Sequence, residues 1–103
     1  MDYTEIKFDV RDDGIATMTL NRPERLNSFS RKMFDEWKDV VARCAFDEKI
    51  RVLVITGEGR AFSSGVDLTV LGSDTLSQSA FRFYYRQAHQ AFDDMEVVEV
   101  PII

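Results

Sequence analysis

Histidine and cysteine occur once each in 103 residues, proline twice and glycine five times. A single cysteine excludes an internal disulfide framework, and one cysteine with one histidine excludes a zinc cluster, which needs several converging ligands. Cys44 reads as a small core hydrophobe. His89 has no second histidine and no adjacent serine or cysteine nucleophile, so it reads as packed or solvent-facing rather than catalytic. The scarcity of proline and glycine excludes a collagen-like repeat and a low-complexity linker. No window approaches the roughly 18 apolar residues of a membrane span, and the opening M-D-Y-T-E-I-K lacks a secretory leader, which predicts a cytoplasmic protein. The length excludes a multidomain enzyme and limits the core to a modest size.

What is present is ordinary for a globular domain: 45% hydrophobic and 30% charged residues, with a net charge of −5. A net acidic chain is a poor non-specific binder of nucleic acid, because that affinity comes from neutralising phosphates. The charge is unevenly spread. Residues 21–32 hold Arg22, Arg25, Arg31 and Lys32 against Glu24 alone, a basic island able to attract a small polyanion or simply a solvated loop.

Residues 3–10 alternate, with Thr4, Ile6, Phe8 and Val10 on one face, and predict a half-buried strand. A turn at Arg11-Asp12-Asp13-Gly14, with Gly14 at positive φ, leads to a second strand over 15–20, closing a hairpin. Asn21 to Phe29 forms a nine-residue connection in which Pro23 holds Arg22 extended. Ser30 caps a helix from Arg31 to Cys44 whose stripe is Met33, Phe34, Trp37, Val40, Val41 and Cys44. The run V-L-V-I at 52–55 predicts a strand covered on both faces. Asp67 caps a short helical turn over 68–71. A second amphipathic helix over Ser79–Met95 carries Phe81, Tyr84, Tyr85, Ala88, Phe92 and Met95. Pro101-Ile102-Ile103 reads as the onset of a buried strand, so the chain is expected to be cut off there. This is an α/β order with at least one right-handed crossover.

Two apparent motifs fail. T-G-E-G-R-A-F has Phe62 where a dinucleotide fingerprint needs its third glycine, and no long helix begins at that turn. Ser63-Ser64-Gly65 lacks the G-x-S-x-G pattern and a nearby histidine, which excludes a serine hydrolase. Asp93 and Asp94 read as solvated helix surface.

Two segments remain: L-N-R-P-E-R-L-N-S-F-S at 20–30 and G-R-A-F-S-S-G-V-D-L at 59–68, separated by a helix and a buried strand. Together they resemble the enoyl-CoA hydratase/isomerase (crotonase) superfamily, and the resemblance covers essentially the whole chain. It implies the crotonase-like (ClpP/crotonase) ββα spiral fold, of which residues 1–103 would be the N-terminal part of an acyl-CoA-binding domain, truncated at the start of a core strand. In that family two backbone N–H groups stabilise an enolate-like oxyanion on an acyl-CoA thioester. The resemblance places the first donor at the N–H of Val66, where the family often has alanine, and gives Gly65 the task of letting backbone approach the thioester. Removing such a donor costs on the order of 3 kcal/mol in other enzymes. The resemblance also implies that Arg25, Leu26 and Ser28 wrap the coenzyme A moiety, that Ser64 meets its adenine–pantetheine bend, and that Asp67 shapes the pocket. Arg22 and Arg25 would steer the phosphates, or Arg22 would be a surface loop charge.

The same resemblance implies coenzyme A thioester as substrate with no other cofactor. The composition argues against metal, nucleic-acid and membrane partners, and apolar helix stripes and residues 100–103 short of their usual cover predict a homo-oligomer assembled through exposed apolar surfaces. The family's second oxyanion donor and its catalytic carboxylates come from segments beyond the position of Ile103, so no residue within 1–103 matches them. The expected function is therefore that of an enoyl-CoA hydratase/isomerase family protein in fatty acid metabolism, lyase or isomerase by descent, whose isolated 103 residues lack turnover. The alternatives are a non-catalytic acyl-CoA-binding module and a self-associating structural fragment.

Overall fold

The alternating start of the chain forms β1 (Ile6–Val10) and β2 (Ile15–Leu20), an antiparallel hairpin in register from Ile6 opposite Leu20 to Val10 opposite Ala16. A computed structural model describes residues 2–65 and 78–103. Gly14 sits at φ +89, as the turn requires; a Cβ there would lie 2.6 Å from the Arg51 side chain and 2.8 Å from the Lys49 carbonyl.

β1 begins three residues later than the alternation suggests, and the reason is a buried acid. Glu36, 1% exposed on the following helix, accepts the backbone N–H groups of Thr4 at 2.7 Å, Glu5 at 3.0 Å and Ile6 at 3.2 Å. The backbone that would have extended the ladder is tied to a side chain instead. Thr4 and Val10 are exposed, so the inward face of β1 is Ile6 and the half-buried Phe8.

Helix α1 (Arg31–Phe46) follows, with the Ser30 hydroxyl accepting from the Met33 N–H at 3.0 Å. It runs two residues past the expected end, and its buried stripe contains every expected residue plus Glu36. Strand β3 (Val52–Gly57) then pairs in parallel with β2, giving the order β1-β2-β3. Parallel neighbours require a crossover, and α1 provides it. Register places Ala16 beside Leu53, Met18 beside Ile55 and Leu20 beside Gly57. The face holding Ala16, Met18, Leu20 and Leu53 is buried beneath α1 residues in one continuous core.

The expected cover on both faces of β3 is not found. Leu53 is buried while Val52 and Val54 are half-buried, because both helices contribute to the core on the Leu53 side.

Helix α2 (Gln78–Glu96) docks on α1. Among its described side chains Tyr84, Gln87 and Ala91 are buried, with Ala88 and Met95 partly covered. Tyr85 and Phe92, expected on the inner stripe, are 39% and 40% exposed. Gln87, not expected on the inner stripe, spans the helix interface, donating to the Arg31 carbonyl at 3.0 Å and to Asp35 at 2.5 Å. Phe92 still reaches an aromatic cluster, with ring centroids 5.8 Å from Phe29, 5.9 Å from Phe34 and 5.6 Å from Trp37. His89 is exposed and Cys44 buried, both as expected. The turn at 68–71 and the side chain of Phe81 lie outside the described residues.

After α2 the chain returns to the sheet. Leu53 N–H donates to the Pro101 carbonyl at 2.9 Å, Ile103 N–H to the Leu53 carbonyl at 2.9 Å, and Ile55 N–H to the Ile103 carbonyl at 2.8 Å. The expected strand onset is there as a bridge parallel to β3, but it is not buried: Ile102 is half-buried and Ile103 76% exposed, as the outermost segment of the sheet.

Candidate functional site

Because β2 and β3 are parallel and end level with one another at Leu20 and Gly57, the loops that follow them leave the same end of the sheet. The carboxyl ends of parallel strands are where open α/β sheets place their ligands. The 20–30 and 59–65 segments, far apart in sequence, are therefore neighbours by topology.

They are also knitted together. The Glu58 N–H donates to the Leu20 carbonyl at 2.8 Å, the Ser64 N–H to the Leu26 carbonyl at 2.9 Å, and the Phe29 N–H to the Gly65 carbonyl at 2.7 Å. At the centre lies Asn27, fully buried, whose side-chain amide donates to the carbonyls of Glu58 at 2.9 Å and Ala61 at 2.8 Å. Its side-chain oxygen accepts the Arg22 N–H at 2.7 Å, and its backbone carbonyl accepts the Ser63 hydroxyl at 2.8 Å. Ser63 then accepts the Gly65 N–H at 3.0 Å, so its hydroxyl is committed to shaping the loop.

The local backbone explains the residue types. Pro23–Arg25 is a single 3-10 turn, and Leu26 and Asn27 follow with φ +53 and +55. Asparagine is among the few non-glycine residues that visit this left-handed region readily. Gly57 is required for a different reason: a Cβ there would come within 2.6 Å of the Ala61 and Phe62 carbonyls, because the loop folds back over it. Gly65 sits at φ +96, and a Cβ added to it would find no atom of the described residues within 4 Å.

Among the residues singled out for coenzyme A, Arg25 and Ser64 are exposed, Leu26 and Gly65 are half-buried, and Ser28 is 6% exposed. The junction brings all five together. Val66 and Asp67 lie outside the described residues. Arg22 is neither a surface charge nor an outstretched arm. Its side chain is 12% exposed, and it donates from Nη1 to the Ser28 carbonyl at 2.6 Å and to the Ser28 hydroxyl at 3.3 Å, with Nε 3.5 Å from Glu5. Among the described residues of the junction, Arg25 and Arg60 are the exposed cations, one from each segment.

Asn27, Ser63 and Arg60 were not assigned roles from sequence. For Asn27 a signal existed, since asparagine between a 3-10 turn and a helix cap suits positive φ. Ser63 and Arg60 carry no such local mark.

The titrations displaced by the fold lie elsewhere. Burial, helped by the hydroxyl's hydrogen bond to Asp39, pushes Tyr3 up to about 12. Burial, with Asp47 nearby, also raises the Cys44 thiol. A cavity of about 580 Å³ surrounds the β1–β2 turn at the other end of the sheet. Its lining sets Arg11, Lys49 and Arg51 against Asp12, Asp13, Asp47 and Glu48, which gives an anion no net attraction.

Residues 10–103 match the enoyl-CoA hydratase/isomerase family profile. An alignment 79 positions long, which covers 71% of this chain, is 40% identical to the 1,2-epoxyphenylacetyl-CoA isomerase of Escherichia coli and covers 30% of that protein. The fold superposes on an enoyl-CoA hydratase from Bacillus anthracis with a TM-score of 0.88 at 22% identity, covering 96% of this chain and 38% of that one. Human enoyl Coenzyme A hydratase domain-containing protein 3 gives the same TM-score, identity and coverage. The chain thus spans less than a third of the length of its E. coli relative and has the crotonase-like fold over that span. It belongs to the enoyl-CoA hydratase/isomerase family.

Proposed function

We propose that the junction of loops 22–28 and 59–65 is a half-site for an acyl-CoA or enoyl-CoA thioester. The observation that carries this reading is the Asn27-centred interlock at the carboxyl ends of β2 and β3, which joins the two family segments. Arg25 and Arg60 supply positive charge for the phosphates from exposed positions. Leu26 offers an apolar edge to the ligand, Ser64 a hydroxyl, and Ser28 supports the loop from below. By family resemblance the Val66 N–H is proposed as one oxyanion donor and Asp67 as a residue that shapes the pocket.

The family reaction, hydration of a 2-enoyl-CoA or movement of its double bond, also requires a second donor and carboxylates that exchange protons at the α and β carbons. No position in residues 1–103 matches those groups by family resemblance. The proposed activity of these 103 residues is therefore binding in a cytoplasmic setting of acyl-CoA metabolism, without turnover. Calorimetric titration tests it: saturable heat with an acyl-CoA, stronger than with free coenzyme A, is expected. Equal affinity for the two would remove the Val66 donor from the site, and no heat would remove the site.

A second property rests on a separate observation. Phe46 is 86% exposed and Ile103 76% exposed, while Ile15, Val52 and Val54 are only half-covered on the second face of the sheet. Self-association is proposed to bury this apolar surface. Light scattering across a concentration series is expected to show mass above 11.9 kDa, and a constant monomer mass would contradict it.

A further inference from the structure

Glu5 lies in neither family segment, yet four residues from α1, its cap and the loop after β2 meet on it. Its N–H donates to Glu36 of α1 at 3.0 Å, and its carbonyl accepts the Asn21 N–H at 2.8 Å. One carboxylate oxygen lies 3.5 Å from Arg22 Nε, and the other accepts the hydroxyl of Ser30, the residue that caps α1. Both charged partners are mostly covered, at 12% exposure for the Arg22 side chain and 23% for Glu5. Arg22 in turn holds the Ser28 carbonyl and hydroxyl. A guanidinium so placed needs its charge balanced nearby, because an unpaired charge under partial burial is costly.

We infer that Glu5 is a positioning residue for loop 25–28: through Arg22 it fixes Ser28, and through Ser30 it locks that loop to the start of α1. The chain of contacts runs Glu36, Glu5, Arg22, Ser28, with each link set by the one before. Its consequence is that Arg22 is withdrawn from ligand phosphates, which leaves Arg25 and Arg60 to meet them. That consequence for the ligand rests on the acyl-CoA reading above; the positioning of the loop does not.

Amide hydrogen exchange of the full chain tests the inference without ligand. In Glu5→Gln, the amides of Asn27, Ser28, Phe29 and Ser64 are expected to exchange about tenfold faster, the scale of one lost charge-assisted hydrogen bond. The ladder amides joining β1 and β2 should keep their wild-type rates, because the substitution leaves the backbone bonds to Glu36 and Asn21 in place. Arg22→Lys, which keeps the charge but loses the fork, should loosen the same four amides and no others. The double variant should do no more than either single change. Wild-type exchange at the loop in Glu5→Gln, or an equal acceleration throughout the sheet, would overturn the inference. If either variant fails to fold, the other decides by the same pattern, and if both unfold the residues serve global stability and the inference falls. Acyl-CoA affinity measured on the same variants should drop about tenfold. Absence of binding in the unaltered chain would reject the half-site while leaving the exchange result to judge Glu5.

Discussion

The buried Asn27 amide donates to the Ala61 carbonyl at 2.8 Å, and this bond joins the loop after β2 to the loop after β3. Four further bonds to the same residue involve Glu58, Ser63 and, twice, Arg22. Its replacement by alanine leaves several buried groups without partners and keeps a left-handed backbone that alanine resists. Asn27→Ala is expected to destabilise the chain by about 3 kcal/mol. In urea denaturation the midpoint should fall with little change in slope. A loss below about 1 kcal/mol would mean that the loops are held by other contacts.

Two glycines should behave differently. Gly57→Ala would set a methyl against backbone atoms at 2.6 Å, so the loop must move, at a cost of about 1–3 kcal/mol. Gly65→Ala meets no neighbour among the described residues and bears the strain of φ +96, about 1 kcal/mol. Equilibrium unfolding of the two variants gives the comparison, and a larger loss at Gly65 would contradict the geometry.

How far the sequence revealed this arrangement depended on the range of the interaction. The hairpin, the Ser30 cap and the Met33-to-Cys44 stripe were legible because each follows from residues a few positions apart. The shortened β1 was not, because it depends on Glu36 reaching back some thirty residues to the backbone of Thr4, Glu5 and Ile6. In α2 the inner stripe was legible at Tyr84, Ala88, Phe92 and Met95, but the outward Tyr85 and the buried Gln87 were not, because Gln87 is held by Arg31 and Asp35 of another helix. At the site, the two segments could be identified from sequence, but the inward turn of Arg22 could not, because its partner Glu5 lies in another strand's approach.

Tyr3 makes stability sensitive to alkali. Its hydroxyl donates to Asp39, and burial pushes its titration up to about 12 from 10.0. The folded state therefore holds this proton after the unfolded state has lost it. The contribution is complete below pH 10 and is lost as pH rises toward 12. Unfolding midpoints measured across that window should fall, and Tyr3→Phe should flatten the fall. An identical slope in the variant would assign the alkaline loss to other groups.

Cys44 is 3% exposed, and burial raises its thiol. Since the thiolate is the reactive form, alkylation in the native state should be slow and should accelerate once denaturant unfolds the chain. Native labelling as fast as that of a free thiol would show that the α1 core opens readily.

Calorimetric titration with an acyl-CoA, using free coenzyme A as control, addresses the half-site most directly. The expected result is saturable binding that is tighter for the thioester and about two- to five-fold weaker in Arg25→Ala, the scale of an exposed charge contact. Added salt should weaken it further. Absence of heat at high ligand concentration, from a chain shown to be folded, would contradict the proposal that the Asn27-centred junction forms a working site.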